Sequence, residues 1–562
     1  MEAGEILLKK GLLDHRQLEA ARQAQTEGTR LDQAAVALGF LTEEQALRAL
    51  GEEVGLDYVD LAEAKIDPAL FQDFPPRFMY REGLFPIRQN NGALTVATSD
   101  PFNLYPLDEL SLATGKSVIP VLASRNEIVK LVKAQLGVGS ETVEGLLAQV
   151  DDVELVNQIE TDGSELSEMA QEPSVIRLVN EILREAIDLR ASDVHIESQQ
   201  SGIKIRYRID GVLHTQPMPP EISRFQAAII SRLKIMARLN IAERRLPQDG
   251  RIELKIAGRE IDIRVSVIPM IHGEGIVMRI LDKGAMEFTL HKLGMESDLY
   301  AIFKRLIQLP HGIILVTGPT GSGKSTTLYS SLLEIRDDET KIITTEDPVE
   351  YKLEGINQIQ VHTKIGLTFG NSLRSILRHD PDIILIGEIR DLETAENAIQ
   401  AALTGHLVFS TLHTNDAPGA YTRLVDMGVE PFLVSSTVEA VMAQRLVRTL
   451  CTACKQPYRP NKDELPEDFP FDQLGDNPIY RAVGCRGCRQ VGYRGRVGIF
   501  EMMVTTDRVR KLSNERQGTW AIRNLAVEEG MRTLREDGWR KVLSGRSTVE
   551  EVVRATKASD IR

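Results

Sequence analysis

The chain has 562 residues, enough for three or four domains of ordinary size. Hydrophobic residues make up 42% and charged residues 26%, which excludes a disordered polyelectrolyte. The net charge of −14 argues against a general binder of nucleic-acid backbones, because phosphate contacts need a basic surface. Only four cysteines occur, all between Cys451 and Cys488. That is too local for a disulfide framework and reads as a metal site in a reducing compartment. No apolar run approaches the ~18 residues of a membrane span, so no spanning helix is expected. The segment MEAGEILLKKGLLDHRQ lacks the apolar core of a secretory signal. The expected location is cytosolic, with docking to a membrane through partners.

The first 55 residues repeat with a shift of 28: Gly4, Leu7, Gly11, Leu18 and Gln25 recur as Asp32, Ala35, Gly39, Ala46 and Glu53. Asp14 and Thr42 read as helix N-caps, and Thr42 with Gln45 has capping-box spacing. Two short helical hairpins are predicted. Residues 56–135 turn strand-like, with NNG marking a hairpin, so an α+β module is predicted over 1–135. The stretch 136–172 carries ten acidic residues between Lys133 and Arg177 and no basic one. It reads as a linker with one weak helix around 142–158.

Residues 173–285 open with SVIRLVNEILREAIDLRA, which has apolar residues at helical spacing. SDVHIES, GIKIRYRIDGVLH, RIELKIAGREIDIRVSVIP and EGIVMRIL then alternate like half-buried strands, with IDG and IAG as turns. This predicts a small α+β domain. Over 286–450 the apolar strands of HGIILVTG, KIITTED, PDIILIGE and GHLVFSTLH are separated by helical segments. That order predicts a parallel sheet with helices on both faces. A cysteine-bearing segment over 451–500 and a helical region over 501–562 complete the chain.

Gly318-Pro319-Thr320-Gly321-Ser322-Gly323-Lys324-Ser325 matches a phosphate-binding loop in full, between an apolar strand and a helix. Its backbone N–H groups would face phosphates, Lys324 would meet the β/γ-phosphates and Ser325 would ligate Mg²⁺. Glu388 ends the strand Ile383–Ile386, where Mg²⁺ and attacking water sit, and would act through one of them. The cluster Thr345-Glu346-Asp347-Pro348-Val349-Glu350 ends another strand. Either Glu346 or Glu388 could orient the water, and spacing does not choose. His406 and His413 lie at opposite ends of one strand, so they cannot share the γ-phosphate; His413 is the candidate. Cys451-x₂-Cys454 and Cys485-x₂-Cys488 can supply four thiolates to a closed, structural zinc site.

GPTGSGKST (ending at Thr326), TTEDPVEY, LRSILRHDPDIILIGEIRD and TGHLVFSTLHTNDA resemble the four signature boxes of the secretion-superfamily ATPases, in the branch serving type II secretion and type IV pilus assembly. The resemblance runs from about 173 to 562 and includes ASDVHIE, YRIDGVLH and RRLPQDGR. It implies a RecA-like P-loop ATPase core preceded by a small PAS-like α+β domain. It also implies a cytoplasmic homo-hexamer using ATP and Mg²⁺, peripherally bound to an inner-membrane platform protein. Arg251 in PQDGR and Arg264 in IDIRVS match positions that reach the nucleotide in the family, where Arg stabilises charge on the transferring phosphoryl. Arg279 is a further candidate. A four-cysteine Zn²⁺ subdomain fits assembly rather than retraction.

The N-terminal repeat resembles a module that binds cyclic di-GMP in some of these ATPases through paired RLG-led motifs. Here Glu2-Ala3-Gly4 and Arg30-Leu31-Asp32 stand at those positions, and both introduced acids repel an anion. The expectation is a docking module for a membrane-anchored adaptor without bound nucleotide. A nucleic-acid motor and a nucleotide-switched scaffold are the competing function classes. The acidic balance and the retained Lys324, Glu346 and Glu388 count against them.

Overall fold

A computed structural model describes residues 3–25, 30–72, 74–75, 78–79, 82–90, 92–136, 170–256, 259–282 and 288–556. The chain divides into two compact units, Met1–Ile280 and Leu281–Arg562. The helix expected around 142–158 lies outside the described residues.

The first unit begins with helices α1 (Ala3–Lys9), α2 (His15–Ala24), α3 (Leu31–Ala37) and α4 (Glu43–Val54). Asp14 Oδ1 accepts the Gln17 N–H at 2.7 Å, and Gln17 Oε1 accepts the Asp14 N–H at 3.0 Å. Thr42 and Gln45 make the same capping box at 3.2 and 2.9 Å. Gly11 and Gly39 both take left-handed φ, at 71° and 74°, where α1 and α3 must stop and turn. The repeat is therefore one of backbone as well as sequence. Leu7, Leu18, Ala35 and Ala46, all positions of the repeat, lie in one apolar cluster.

Strands β1 (Phe85–Asn90) and β2 (Ala93–Thr98) form the antiparallel hairpin that NNG signalled. After α5 (Tyr105–Thr114), β3 (Ser117–Leu122) joins β2 in parallel, and α6 (Arg125–Leu136) follows. The small domain starts with α7 (Pro173–Asp188). Its apolar face of Val175, Leu178, Val179, Ile182, Leu183 and Ala186 is buried, as helical spacing requires. Strands β4 (Asp193–Gln199), β5 (Gly202–Ile209), β6 (Val212–Thr215), β7 (Gln248–Ile256), β8 (Arg259–Met270) and β9 (Gly273–Asp282) form a sheet ordered β6-β5-β4-β9-β8-β7. Helix α8 (Gln226–Met236) lies between β6 and β7 in sequence. Tyr207 on β5 donates its hydroxyl to the Ile182 carbonyl at 3.0 Å, tying sheet to α7.

The second unit holds a seven-stranded sheet of order β12-β11-β13-β14-β10-β15-β18. Strands β10 (Gly312–Thr317), β11 (Ile342–Glu346), β13 (Ile383–Ile386) and β14 (Leu407–Leu412) are the four apolar runs of the sequence, and they are parallel. Successive residues of β10 enter opposite cores. Ile313 and Leu315 pack with the side of α11 (Phe369–Ile376) and α12 (Leu392–Leu403), while Ile314 and Val316 pack with α9 (Ser297–Leu306) and α10 (Lys324–Ile335). Helices therefore cover both faces.

Three further strands went unpredicted. The edge strand β12 (Asn357–Gln360) is polar, β15 (Val438–Leu450) is interrupted by charge, and β18 (Tyr493–Val504) closes the sheet antiparallel to β15. Helices α13 (Gly419–Asp426) and α14 (Pro431–Thr437) connect β14 to β15. Residues 493–500, grouped above with the cysteine segment, thus sit in the core sheet. Between β15 and β18 the chain makes a separate pair, β16 (Gln456–Tyr458) and β17 (Ile479–Arg481). Helices α15 (Asp507–Asn514), α16 (Thr519–Glu528), α17 (Leu534–Leu543) and α18 (Val549–Ala555) follow.

Candidate active site

Strand β10 delivers the chain to Gly318, and α10 begins at Lys324. The loop between them can close only with glycine at two points, since Gly321 and Gly323 have φ of 78° and 92°. Gly318 has no room for a side chain. A Cβ there would stand 2.6 Å from the Gln444 carbonyl oxygen and 2.7 Å from Ser322 Oγ. Pro319, Thr320 and Gly321 form the exposed lip, with Ser325 and Thr326 in the first turn of the helix. The Ser322 hydroxyl is buried and has no protein partner among the described residues. An orphan hydroxyl and a helix N-terminus at one loop suit a polyphosphate.

Lys324 Nζ donates to the Gly318 and Pro319 carbonyls at 2.8 and 3.2 Å. Burial pulls its pKa below the ordinary lysine value, Glu388 opposes that shift and Arg445 adds to it. Glu388 therefore lies within electrostatic reach of Lys324. It is gripped by Arg390 and by His413, whose Nε2 is 3.2 Å from Glu388 Oε2. Arg390 also lies 3.8 Å from Asp347, so one guanidinium spans Glu388 and the acidic turn after β11. His406 bonds instead to the Ala401 carbonyl through Nδ1 at 2.8 Å, at the other end of β14.

Glu346 differs from Glu388. It is 5% exposed and takes three protein donors: the Tyr329 hydroxyl, the Thr344 hydroxyl at 2.6 Å and Gln358 Nε2 at 3.1 Å. A carboxylate with both oxygens engaged anchors its surroundings and has little capacity left for water.

Two site residues escaped the sequence reading. Gln444, buried in β15, accepts the Thr327 hydroxyl at 2.7 Å and faces Gly323. Arg445 places Nη1 3.0 Å from where a Cβ on Gly318 would be, and burial lowers its pKa. Its guanidinium donates to the carbonyls of Gln444 at 2.9 Å and Asn415 at 2.7 Å. The available signal was two polar residues in the middle of the run VEAVMAQRLV.

In the first unit, Arg251 and Arg264 are direct cross-strand partners on β7 and β8. Arg251 makes a two-pronged pair with the buried Asp262, and this bond raises the Arg251 pKa. Arg279 bonds Asp193 at 3.1 Å. At the N-terminal repeat, Arg30 is clasped by Asp32 at 2.8 Å and by Asp100 at 2.6 Å. Burial alone would lower its pKa, but those two carboxylates outweigh burial and raise it.

The four cysteines converge. Cys451 Sγ is 3.9 Å from Cys485 Sγ, while Cys488 Sγ is 3.7 Å from both Cys454 Sγ and Cys485 Sγ. Tetrahedral zinc with bonds of about 2.3 Å needs sulfurs about 3.8 Å apart, so the donor set and spacing fit that ion. Backbone N–H groups of Cys485 and Gly492 each reach Cys488 Sγ at 3.2 Å, which favours a thiolate.

The family described as "Type II/IV secretion system protein" matches residues 168–554. The chain belongs to that family. It is an ATPase. An MshEN domain matches residues 54–136. The type IV pilus assembly ATPase PilB of Myxococcus xanthus is 43% identical over 556 residues, covering 98% of each chain. The type II secretion system protein E of Xanthomonas campestris is 45% identical, again with 98% of each covered. The solved structure of the Yersinia pseudotuberculosis ATPase DotB matches at a TM-score of 0.50 and 22% identity, over 67% of this chain and 93% of that one, and it shows the fold alone. No helix among the described residues is long and apolar enough to cross a membrane.

Proposed function

We propose that this family member is the ring motor of a type II secretion or type IV pilus assembly machine. The reading assigns it a homo-hexameric state and cytoplasmic work at an inner-membrane platform protein. The observation that carries the reading is a complete phosphate-binding loop after β10, with Lys324 folded onto its carbonyls, and Glu388 held by Arg390 and His413 at the same end of the parallel sheet. Supporting the choice of machine are the two full-length relatives, one named for each system.

In this reading residues 318–326 hold the ATP phosphates, with Lys324 on the β/γ end. Bound Mg²⁺ would screen phosphate charge, and Ser325 and Glu388 are the residues to hold it, Glu388 through water. His413 and Arg390 orient Glu388. Glu346 anchors the acidic turn, whose carboxylates Asp347 and Glu350 complete the acidic side of the site. Arg251 and Arg264 are assigned to the nucleotide, stabilising charge as it develops. That role requires Arg251 to exchange Asp262 for phosphate. Cys451, Cys454, Cys485 and Cys488 hold structural Zn²⁺. The N-terminal module docks a membrane-anchored adaptor. Cyclic di-GMP is disfavoured there, because Asp32 and Asp100 already occupy Arg30.

The test is the full chain with Lys324→Ala. ATP turnover should fall at least about a hundredfold, since each tenfold is ~1.4 kcal/mol of lost transition-state stabilisation. Secretion or piliation in a host lacking its own copy should be lost with it. Turnover that survives the substitution overturns the mechanism. Turnover that depends on added DNA moves the chain to the nucleic-acid motors.

A further inference from the structure

Tyr329 lies on α10, five residues beyond Lys324, and its side chain is fully buried. Its hydroxyl donates to Glu346 Oε2 and accepts the backbone N–H of Glu350 at 3.3 Å. These two bonds grip the acidic turn at both ends, before Asp347 and at Glu350. The ring is held in turn by edge-on contacts with Phe288 and Tyr351, at centroid distances of 5.5 and 6.4 Å. From the far side, Gln358 Nε2 donates to Glu346 Oε1 and to the Tyr351 carbonyl at 3.0 Å. The turn is tied to the Glu388 side by Arg390, which reaches Asp347.

We propose that Tyr329 is a positioning residue for ATP hydrolysis: through Glu346 and the Glu350 N–H it fixes the turn Asp347–Glu350 relative to the phosphate-binding loop. The inference rests on the proposed reading of loop, turn and Glu388 as one hydrolytic site. A helix that starts at the phosphates and ends its second turn on the acidic loop makes the two move together. One hydroxyl, both donor and acceptor, joins them. Burial and the Glu346 charge also hold that hydroxyl protonated, so it stays a donor across the working pH range.

The experiment uses the full-length chain with Tyr329→Phe, which keeps the ring and removes the hydroxyl. The expected result is a fall in kcat of about tenfold, with KM for ATP and the affinity for a fluorescent ADP within about twofold of wild type. The melting temperature should stay close to wild type. An unchanged kcat overturns the inference. So does a fall in kcat that tracks nucleotide affinity and melting temperature, which marks a packing role only. Should Tyr329→Phe fail to fold, Gln358→Met decides the matter. It removes the opposing donor to Glu346 and should lower kcat with KM unchanged; no change in kcat overturns the inference. Glu388→Gln runs in parallel. If it turns over ATP like wild type, the site reading itself fails and the inference falls with it. If it is inactive while Tyr329→Phe is normal, only the inference falls.

Discussion

Arg30 in the N-terminal repeat and Lys324 in the phosphate-binding loop are both cations inside motifs that suggest an anion. Their surroundings differ in kind. Arg30 meets two carboxylates, Asp32 and Asp100, at ion-pair distance. Lys324 meets only carbonyl oxygens, and no ion pair to it exists among the described residues. Carbonyls orient an ammonium without cancelling its charge, whereas two carboxylates overcompensate one guanidinium. One site is built to receive an anion and the other already contains its own. Sequence motifs flag a cation, and its partners decide whether it is available.

The comparison can be broken most severely by giving the loop a carboxylate of its own. Thr320→Asp places an acid on the exposed lip beside Lys324 and should weaken ATP binding at least about tenfold, while the fold survives because the lip is solvent-facing. Isothermal titration with a non-hydrolysable ATP analogue reads this, and unchanged affinity would mean that local charge does not govern the site. A middle-sized effect concerns pH. In the proposed reading the charged form of Lys324 binds phosphate, and burial holds its pKa below the ordinary lysine value. As pH rises through that lowered pKa the charge is lost, so kcat/KM should decline on an alkaline limb below ~10.4, the usual lysine value. The smallest effect comes from reversing the N-terminal case. Asp32→Asn with Asp100→Asn frees Arg30 and should create weak, salt-sensitive binding of cyclic di-GMP, with none expected for the wild type. Binding by the wild-type chain would sink the occupied-arginine account.

Much of the second unit was legible because burial on both faces demands continuous apolar runs, and β10, β11, β13 and β14 are such runs. β15 was hidden by Glu439, Gln444, Arg445 and Arg448, polar residues whose partners are distant in sequence. Arg510 answers Glu439, and Glu551 answers Arg448. Such pairings have no local signature. Asp32 shows the same limit on a small scale. The sequence marked it as repelling a ligand, but its role in the fold is to hold Arg30, with Asp100 arriving from 68 positions away. The different surroundings of Glu346 and Glu388 were likewise out of reach. The grip on Glu346 comes from Tyr329 and Gln358, which lie on separate elements and converge only through the tertiary fold. The cysteine pairs were readable because chelate spacing is local, and the structure adds that all four sulfurs fall within 4.8 Å.

The cysteine-bearing excursion leaves the core sheet at Leu450 and re-enters at Tyr493, and those two residues are paired neighbours. Its apolar residues Phe469, Leu474 and Ile479 pack on Trp539 of α17. The chain has two tryptophans, and they are optically opposite: Trp520 is 76% exposed and Trp539 is 1% exposed. If the four cysteines hold zinc as proposed, chelating it from the full-length protein should loosen the excursion and wet Trp539, shifting emission to the red while Trp520 serves as an internal constant. The paired strand ends keep the sheet closed during that change. The proposed zinc site would thus come with its own fluorescent gauge of occupancy, readable without a label while ATP turnover is followed in the same cuvette.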